Sequence, residues 1–161
     1  MSVSTEDFRM GMRRHGGAVN VITSHYEGQS FGLTATSVCS VSAEPPRLLA
    51  CVNQNGVTFK SIQQSMALVV NTLGADHKAI AETFAGMNGD AENDRFHVGE
   101  WGYSGGMPVL DNALVSFVCE VHDIQNVGTH GIIIADIKAI KTSDGDPLFY
   151  IDGNFVTSQQ I

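Results

Sequence analysis

Apolar and β-branched residues in this chain fall into short runs set apart by glycine, proline, asparagine and aspartate, which predicts strands joined by tight turns. Residues 18–24 read as a strand, and Glu27-Gly28-Gln29 as a hairpin turn into a second strand over 30–36. Two runs flank the corner Pro45-Pro46. The second, 47–53, is almost continuously apolar and predicts a strand buried on both faces. Further strands are expected over 67–73, 113–123 and 132–140, with one or two more within 147–155. Helical signals are fewer. Residues 4–14 open on a Ser or Thr cap and early carboxylates, 57–65 follow the turn Asn55-Gly56, and 76–84 are capped by Asp76 with Ile80 and Phe84 four apart. The glycine-bearing polar stretch 86–94 predicts a loop, and the chain around Trp101 has no regular pattern.

Six or seven strands in runs, with two or three helices, argue against a parallel βαβ sheet, and no Gly-x-Gly-x-x-Gly follows a first strand. The pattern predicts a mainly β, closed antiparallel barrel with short helical additions, one domain over 1–161. Only 16% of the residues are charged, which suits a large apolar surface partly buried in an oligomer. Nine basic against seventeen acidic residues give a net charge of −8, so nucleic acid and anionic membrane are poor partners. A phosphate-bearing ligand would have to be held by local donors. The first residues show no signal-peptide pattern, no stretch is apolar enough to span a membrane, and the three isolated cysteines, Cys39, Cys51 and Cys119, read as buried thiols of a cytoplasmic protein.

Nucleophilic and metal chemistry lack their signatures. No serine sits in a Gly-x-Ser-x-Gly elbow, and the six histidines are scattered without ligand spacing. What stands out is a cluster of hydroxyls: Thr34, Thr36, Ser37, Ser40 and Ser42 place five within nine residues, a ledge of donors for a phosphate or a polar ring edge, or simply good strand and turn formers.

The run Gly-x-Thr-Ala-Thr-Ser-Val-Cys-Ser-Val-Ser over 32–42, then Pro45-Pro46 and Cys51-Val52-Asn53, resembles the flavin-binding segment of the small flavin reductases that serve two-component aromatic hydroxylases, such as 4-hydroxyphenylacetate 3-monooxygenase. Phe84-Ala85-Gly86-Met87, Gly128-Thr129-His130 and Pro147-Leu148-Phe149-Tyr150 extend the likeness in the same order, over about residues 6 to 156. The resemblance implies an FMN-binding split barrel, a homodimer, FMN or else FAD as flavin, NADH as hydride donor, and an oxygenase partner receiving reduced flavin. It puts Thr34, Ala35, Thr36 and Ser37, with a turn at Ser40-Val41, along the ribityl chain and ring. It gives the backbone of Cys51, Val52 and Asn53 to the pyrimidine edge and makes Ser61, at a helix start, a phosphate ligand. Phe84 then lies near the flavin, and Tyr150 borders the pocket or belongs to the core. Arg95 pairs a phosphate or neutralises Asp90, Glu92 or Asp94, and His130 sits on the nicotinamide side as the catalytic candidate, or is a strand-start histidine satisfied by backbone. Two other activities fit the same residues: reduction of cobalt(II) corrins, and non-catalytic flavin binding as an electron carrier.

Overall fold

In the computed structural model, which describes all 161 residues, the chain opens with α1 (Thr5–Arg13) and continues through β1 (Gly17–Ala18), β2 (Asn20–Tyr26), β3 (Gln29–Ala35), β4 (Val38–Ala43) and β5 (Pro46–Asn53). Next come α2 (Val57–Ser65), β6 (Ala67–Thr72) and α3 (Lys78–Phe84), then the hairpin β7 (Trp101–Ser104) and β8 (Met107–Leu110). The long antiparallel pair β9 (Val115–Val127) and β10 (His130–Thr142) is followed by β11 (Leu148–Ile151) and β12 (Asn154–Thr157).

Seven strands form one antiparallel sheet in the order β3-β2-β6-β9-β10-β5-β4. Its concave face encloses a core to which both ends of the sheet contribute: Ile22 of β2 and Leu48, Ala50 and Val52 of β5 share one cluster with Phe59 and Ile62 of α2. The sheet therefore curls around α2. It does not close: β3 and β4 are its two edges, with no ladder between them, and the expectation of a closed barrel is corrected to an open, curled sheet. The chain crosses the gap at Thr36-Ser37, where the Val38 N–H bonds the Thr36 carbonyl and the Cys51 N–H bonds the Ser37 carbonyl.

A second core lies on the other side of β2, where Val19 and Val21 pack with Leu73, Ile80, Ala81, Phe84, Leu110 and Leu148. The strands buried on both faces are therefore β2, β6 and the short β8. In β5, Leu48, Ala50 and Val52 are buried while Arg47, Leu49 and Cys51 are only half-covered, because no layer is laid over its outer face. The expected two-sided burial of 47–53 is not what forms. Residues 38–43, expected to turn at Ser40-Val41, are an edge strand with a bulge at Ser40/Ser42. The stretch around Trp101 is a hairpin turned by Gly105-Gly106, both at positive φ. Of the three thiols only Cys119 is buried, its pKa pushed up to about 12 by burial and the nearby Asp136; Cys51 is half-buried and Cys39 exposed.

β5 and β10 are joined across their outer face by an ion pair, Arg47 Nε to Asp136 Oδ1 at 2.5 Å. That hydrogen bond, with Coulombic help from Arg47, His122 and Lys138, holds the Asp136 carboxyl below its ordinary value of 3.8. A lowered carboxyl pKa stabilises the fold above the unfolded value and stops doing so as pH falls through the folded one. We expect Asp136→Asn to be less stable than the parent at pH 7, with the gap closing as pH drops below 3.8. Urea midpoints across that range check it, and a gap independent of pH would refute the linkage.

Candidate functional site

The unclosed seam of the sheet is where a cavity of about 390 Å³ opens. Edge strand β3 and the crossing bring Leu33, Thr34, Ala35, Thr36 and Ser37 to one wall. The end of β5 supplies Cys51, Val52 and Asn53, and His130 begins β10 directly opposite Asn53. Phe84, Ala85 and Arg95 complete the lining. Ten of the fourteen residues singled out from sequence thus lie around one space, though they come from segments up to 96 positions apart (34 to 130).

One glycine lets an aromatic ring shape this wall. A Cβ on Gly32 would stand 2.6 Å from the Phe84 ring. Phe84 itself is fully buried, edge-on to Phe96 with centroids 5.1 Å apart and tilted against Trp101 at 5.2 Å, so it supports the wall from behind. Gly32 also turns its backbone away from β2. Its N–H bonds the Glu92 carbonyl and its carbonyl accepts from Arg95 Nη1. By the alternation of an antiparallel edge, Thr34 directs its own N–H and carbonyl the same way, toward the cavity.

The hydroxyls of the ledge are mostly engaged already. Thr34 Oγ1 donates to the Ala81 carbonyl at 2.8 Å, tying β3 to α3, and Ser37 Oγ donates to the Cys51 carbonyl at 2.9 Å. Thr36, exposed and without a side-chain partner in the protein, is the hydroxyl free to meet a ligand. Burial, then the neighbouring Cys39, push the Cys51 thiol up, so it is uncharged at neutral pH.

Arg95 is the one permanently cationic side chain here. Its Nη1 donates to the Gly32 and Phe84 carbonyls, both at 2.9 Å, and its Nε to the Asp90 carbonyl at 3.2 Å. It bonds carbonyls, and none of the acidic side chains that were one of its two expected partners. Asp90 pairs with His97 instead, and Glu92 reaches α2, where its carboxylate accepts from the Val57 N–H at 2.8 Å and Thr58 Oγ1 at 2.9 Å. Helix α2 has no side-chain cap of its own and no acidic residue in its first turn, so Glu92 completes its N-terminus from 35 residues away (57 to 92).

His130 is exposed. Thr129 Oγ1 lies 2.8 Å from its Nδ1; with Thr129 donating, Nε2 carries the proton and is the free donor of the ring. The turn before it is gripped by Gln54, whose N–H bonds the Thr129 carbonyl while its side-chain amide bonds the carbonyls of Gly128 and His130. Neither Gln54 nor Glu92 announced itself in the sequence, since each acts through a pairing that only the folded chain creates.

Four residues lie elsewhere. Ser40 and Val41 sit exposed on edge strand β4. Ser61 is not at a helix start: it is the fifth residue of α2, buried, with Oγ donating to Ser24 Oγ at 3.0 Å, and it lies against a different cavity. Tyr150 lines an adjoining apolar cavity of about 260 Å³ with Phe155 and Met87, which shares Thr34, Ala35, Thr36 and Ala85 with the seam.

Residues 12–159 match the family model described as flavin reductase like domain. The chain belongs to the flavin reductase-like domain family. Over 141 residues it is 40% identical to an FMN reductase (NADH), RutF, of Agrobacterium fabrum, spanning 87% of this chain and 80% of that one. It is likewise 40% identical over 157 residues to the RutF FMN reductase (NADH) of Acinetobacter baylyi, spanning 96% and 82%. Among solved structures it superposes on the flavin reductase PheA2 with a TM-score of 0.89 at 29% identity, covering 98% of this chain and all of that one.

In this flavin reductase-like domain the contact between Gly32 and Phe84 sets the inner wall of the seam. We expect Gly32→Ala to lose about 2 kcal/mol of stability through overpacking. Phe84→Leu in the same chain should relieve part of that loss, a coupling of about 1 kcal/mol in a double-mutant cycle. Additive losses in urea unfolding would show that the two residues do not press on one another.

Proposed function

We propose that this domain is an NADH-dependent flavin reductase, with FMN the flavin it takes and FAD the alternative acceptor. The observation that carries the reading is the seam itself: an open slot between unpaired sheet edges, lined by backbone groups, one free hydroxyl, one arginine and one histidine, in a chain akin to FMN reductases over most of its length.

The residues fit a flavin. A slot of about 390 Å³ is of the size that takes a small planar ligand. Leu33 and Ala35 offer apolar surface, and the backbone at Thr34 and along 51–53 offers donors and acceptors to a polar ring edge. A flavin, when bound, supplies the acceptor for the two electrons and hydrogen of the nicotinamide hydride. The protein's part is orientation. Gln54 and Thr129 hold the His130 ring at the mouth of the slot, where Nε2–H can donate to the nicotinamide carboxamide. Arg95, immobilised on three carbonyls, keeps the loop 86–94 against β3 and adds positive charge to a site in an acidic protein.

On this reading reduced flavin leaves through the open seam to an oxygenase. The domain works as a homodimer, in which Phe8, Met10 and Met12 of α1, all exposed in the single chain, become covered. Sedimentation velocity is expected to give a dimer, and a monomer at micromolar concentration would count against it.

Anaerobic titration of the FMN-loaded protein with NADH is expected to bleach the flavin absorbance with one equivalent. His130→Ala should lower kcat/KM for NADH about 10- to 100-fold while FMN binding stays nearly unchanged. Flavin that NADH never bleaches would leave a binding module. Bleaching unaffected by the substitution would remove His130 from its role, and faster turnover with a cobalt(II) corrin than with free flavin would reassign the acceptor.

A further inference from the structure

A cavity of about 520 Å³, larger than the seam, lies apart from it. It lies beside the β2–β3 turn and the first turns of α2, and none of its residues enters the site described above. The two spaces are nevertheless neighbours along three segments. β3 gives Gln29 and Phe31 to the larger and Leu33 to the seam, on the same strand face. Asn93 lines the larger and Arg95 the seam, and Val57 of the larger follows Asn53 of the seam by one turn. Glu92, bonded to Val57 and through its carbonyl to Gly32, marks the boundary. From Gln29 to Ser37 the strand and its crossing run for roughly 26 Å.

We infer that this cavity seats the adenosine diphosphate half of a dinucleotide whose redox-active half lies in the seam, an inference that rests on the reductase reading above. Its walls carry what that half needs. Tyr26 and Phe31 offer aromatic faces on which a purine stacks, and the amides of Gln29, Gln64 and Asn93 match the donor and acceptor pattern of an adenine edge. Lys60 supplies the cation for a diphosphate. It is the fourth residue of α2, where the helix dipole disfavours a positive charge, and it forms no ion pair in the protein. The fold gains nothing from an ammonium there; an anionic ligand does. Glu27 also lines the cavity, so attraction for a diphosphate hangs on Lys60 alone.

A donor dinucleotide and FAD share this half, and kinetics separate them. With FMN as acceptor, Lys60→Ala is expected to raise KM for NADH about tenfold and leave KM for reduced nicotinamide mononucleotide, which lacks the adenylate, unchanged. ADP should compete with NADH in the parent and far less in the variant. If instead FAD binding weakens about tenfold while FMN binding and KM for NADH hold, the half seated is that of the acceptor. The inference is overturned if neither NADH nor FAD is affected, or if the mononucleotide and FMN suffer equally. Failure of the parent to reduce FMN with either donor would refute the reductase reading instead, which keeps the two failures apart.

Discussion

An unpaired sheet edge is the constraint from which the rest of the site follows. A strand edge exposes a row of N–H and C=O groups that must find partners, and a curled seven-stranded sheet that stops short of closure has two such edges facing a common gap. The chain deals with β3 residue by residue. At Gly32 both backbone groups are taken, by the Glu92 carbonyl and by Arg95. At Thr36 the carbonyl accepts the Val38 N–H as the strand crosses to β4. Between these anchors, around Thr34, a short length of edge is left for a ligand to satisfy. The slot is therefore bounded by the points at which the protein pairs its own backbone.

The same economy governs charge. The protein is acidic overall, yet the slot is flanked by Arg95 and by the N-terminus of α2. Glu92 occupies that N-terminus, which places a carboxylate where an incoming phosphate would otherwise be welcome. A phosphate in the seam must then depend on Arg95 and on backbone donors, and Lys60 is the next cation along the groove. Loop 86–94 contributes clamp and competing anion at once, through the Glu92 carbonyl on Gly32 and the Glu92 carboxylate on α2, which makes it a segment able to tune binding without touching the chemistry.

How much of this could be read beforehand divides along physical lines. β2, β3, β5, β6 and the three helices were legible because each has an apolar pattern bounded by turn residues. β4 was not: Cys39, Ser40 and Val41 face solvent, and it is a strand only because β5 pairs with it. The tips of β9 and β10, beyond Asp123 and before Ile132, were missed for the same reason: Gln125, Asn126 and His130 break the apolar pattern and are held by register. In the site, spacing and resemblance marked the segments at 34–37, 51–53, 84, 95 and 130, but not what their atoms do. Arg95 binding the Gly32 carbonyl, Thr34 donating to Ala81 and Ser61 bonding Ser24 are outcomes of packing partners 63, 47 and 37 positions away.

A site of this kind needs few reactive side chains, and the fold explains why that suffices. Hydride transfer requires two planar partners held face to face at near contact, so the demand on the protein is rigidity of the walls and accessibility of one face. Rigidity comes from the Phe84 ring seated against Gly32 in the wall, where a single methyl group would not fit, and from the Phe59 ring packed as closely on Gly131 in the core behind His130. Accessibility comes from the seam, which leaves the slot open along the sheet edge. His130 stands where these requirements meet: it begins a long β strand, but the turn that carries it is built from Gly128 at positive φ and is pinned by one residue, Gln54. A donor group on such a mount can keep its place while partners come and go, because what holds it is bonded to the backbone and not to the ligand.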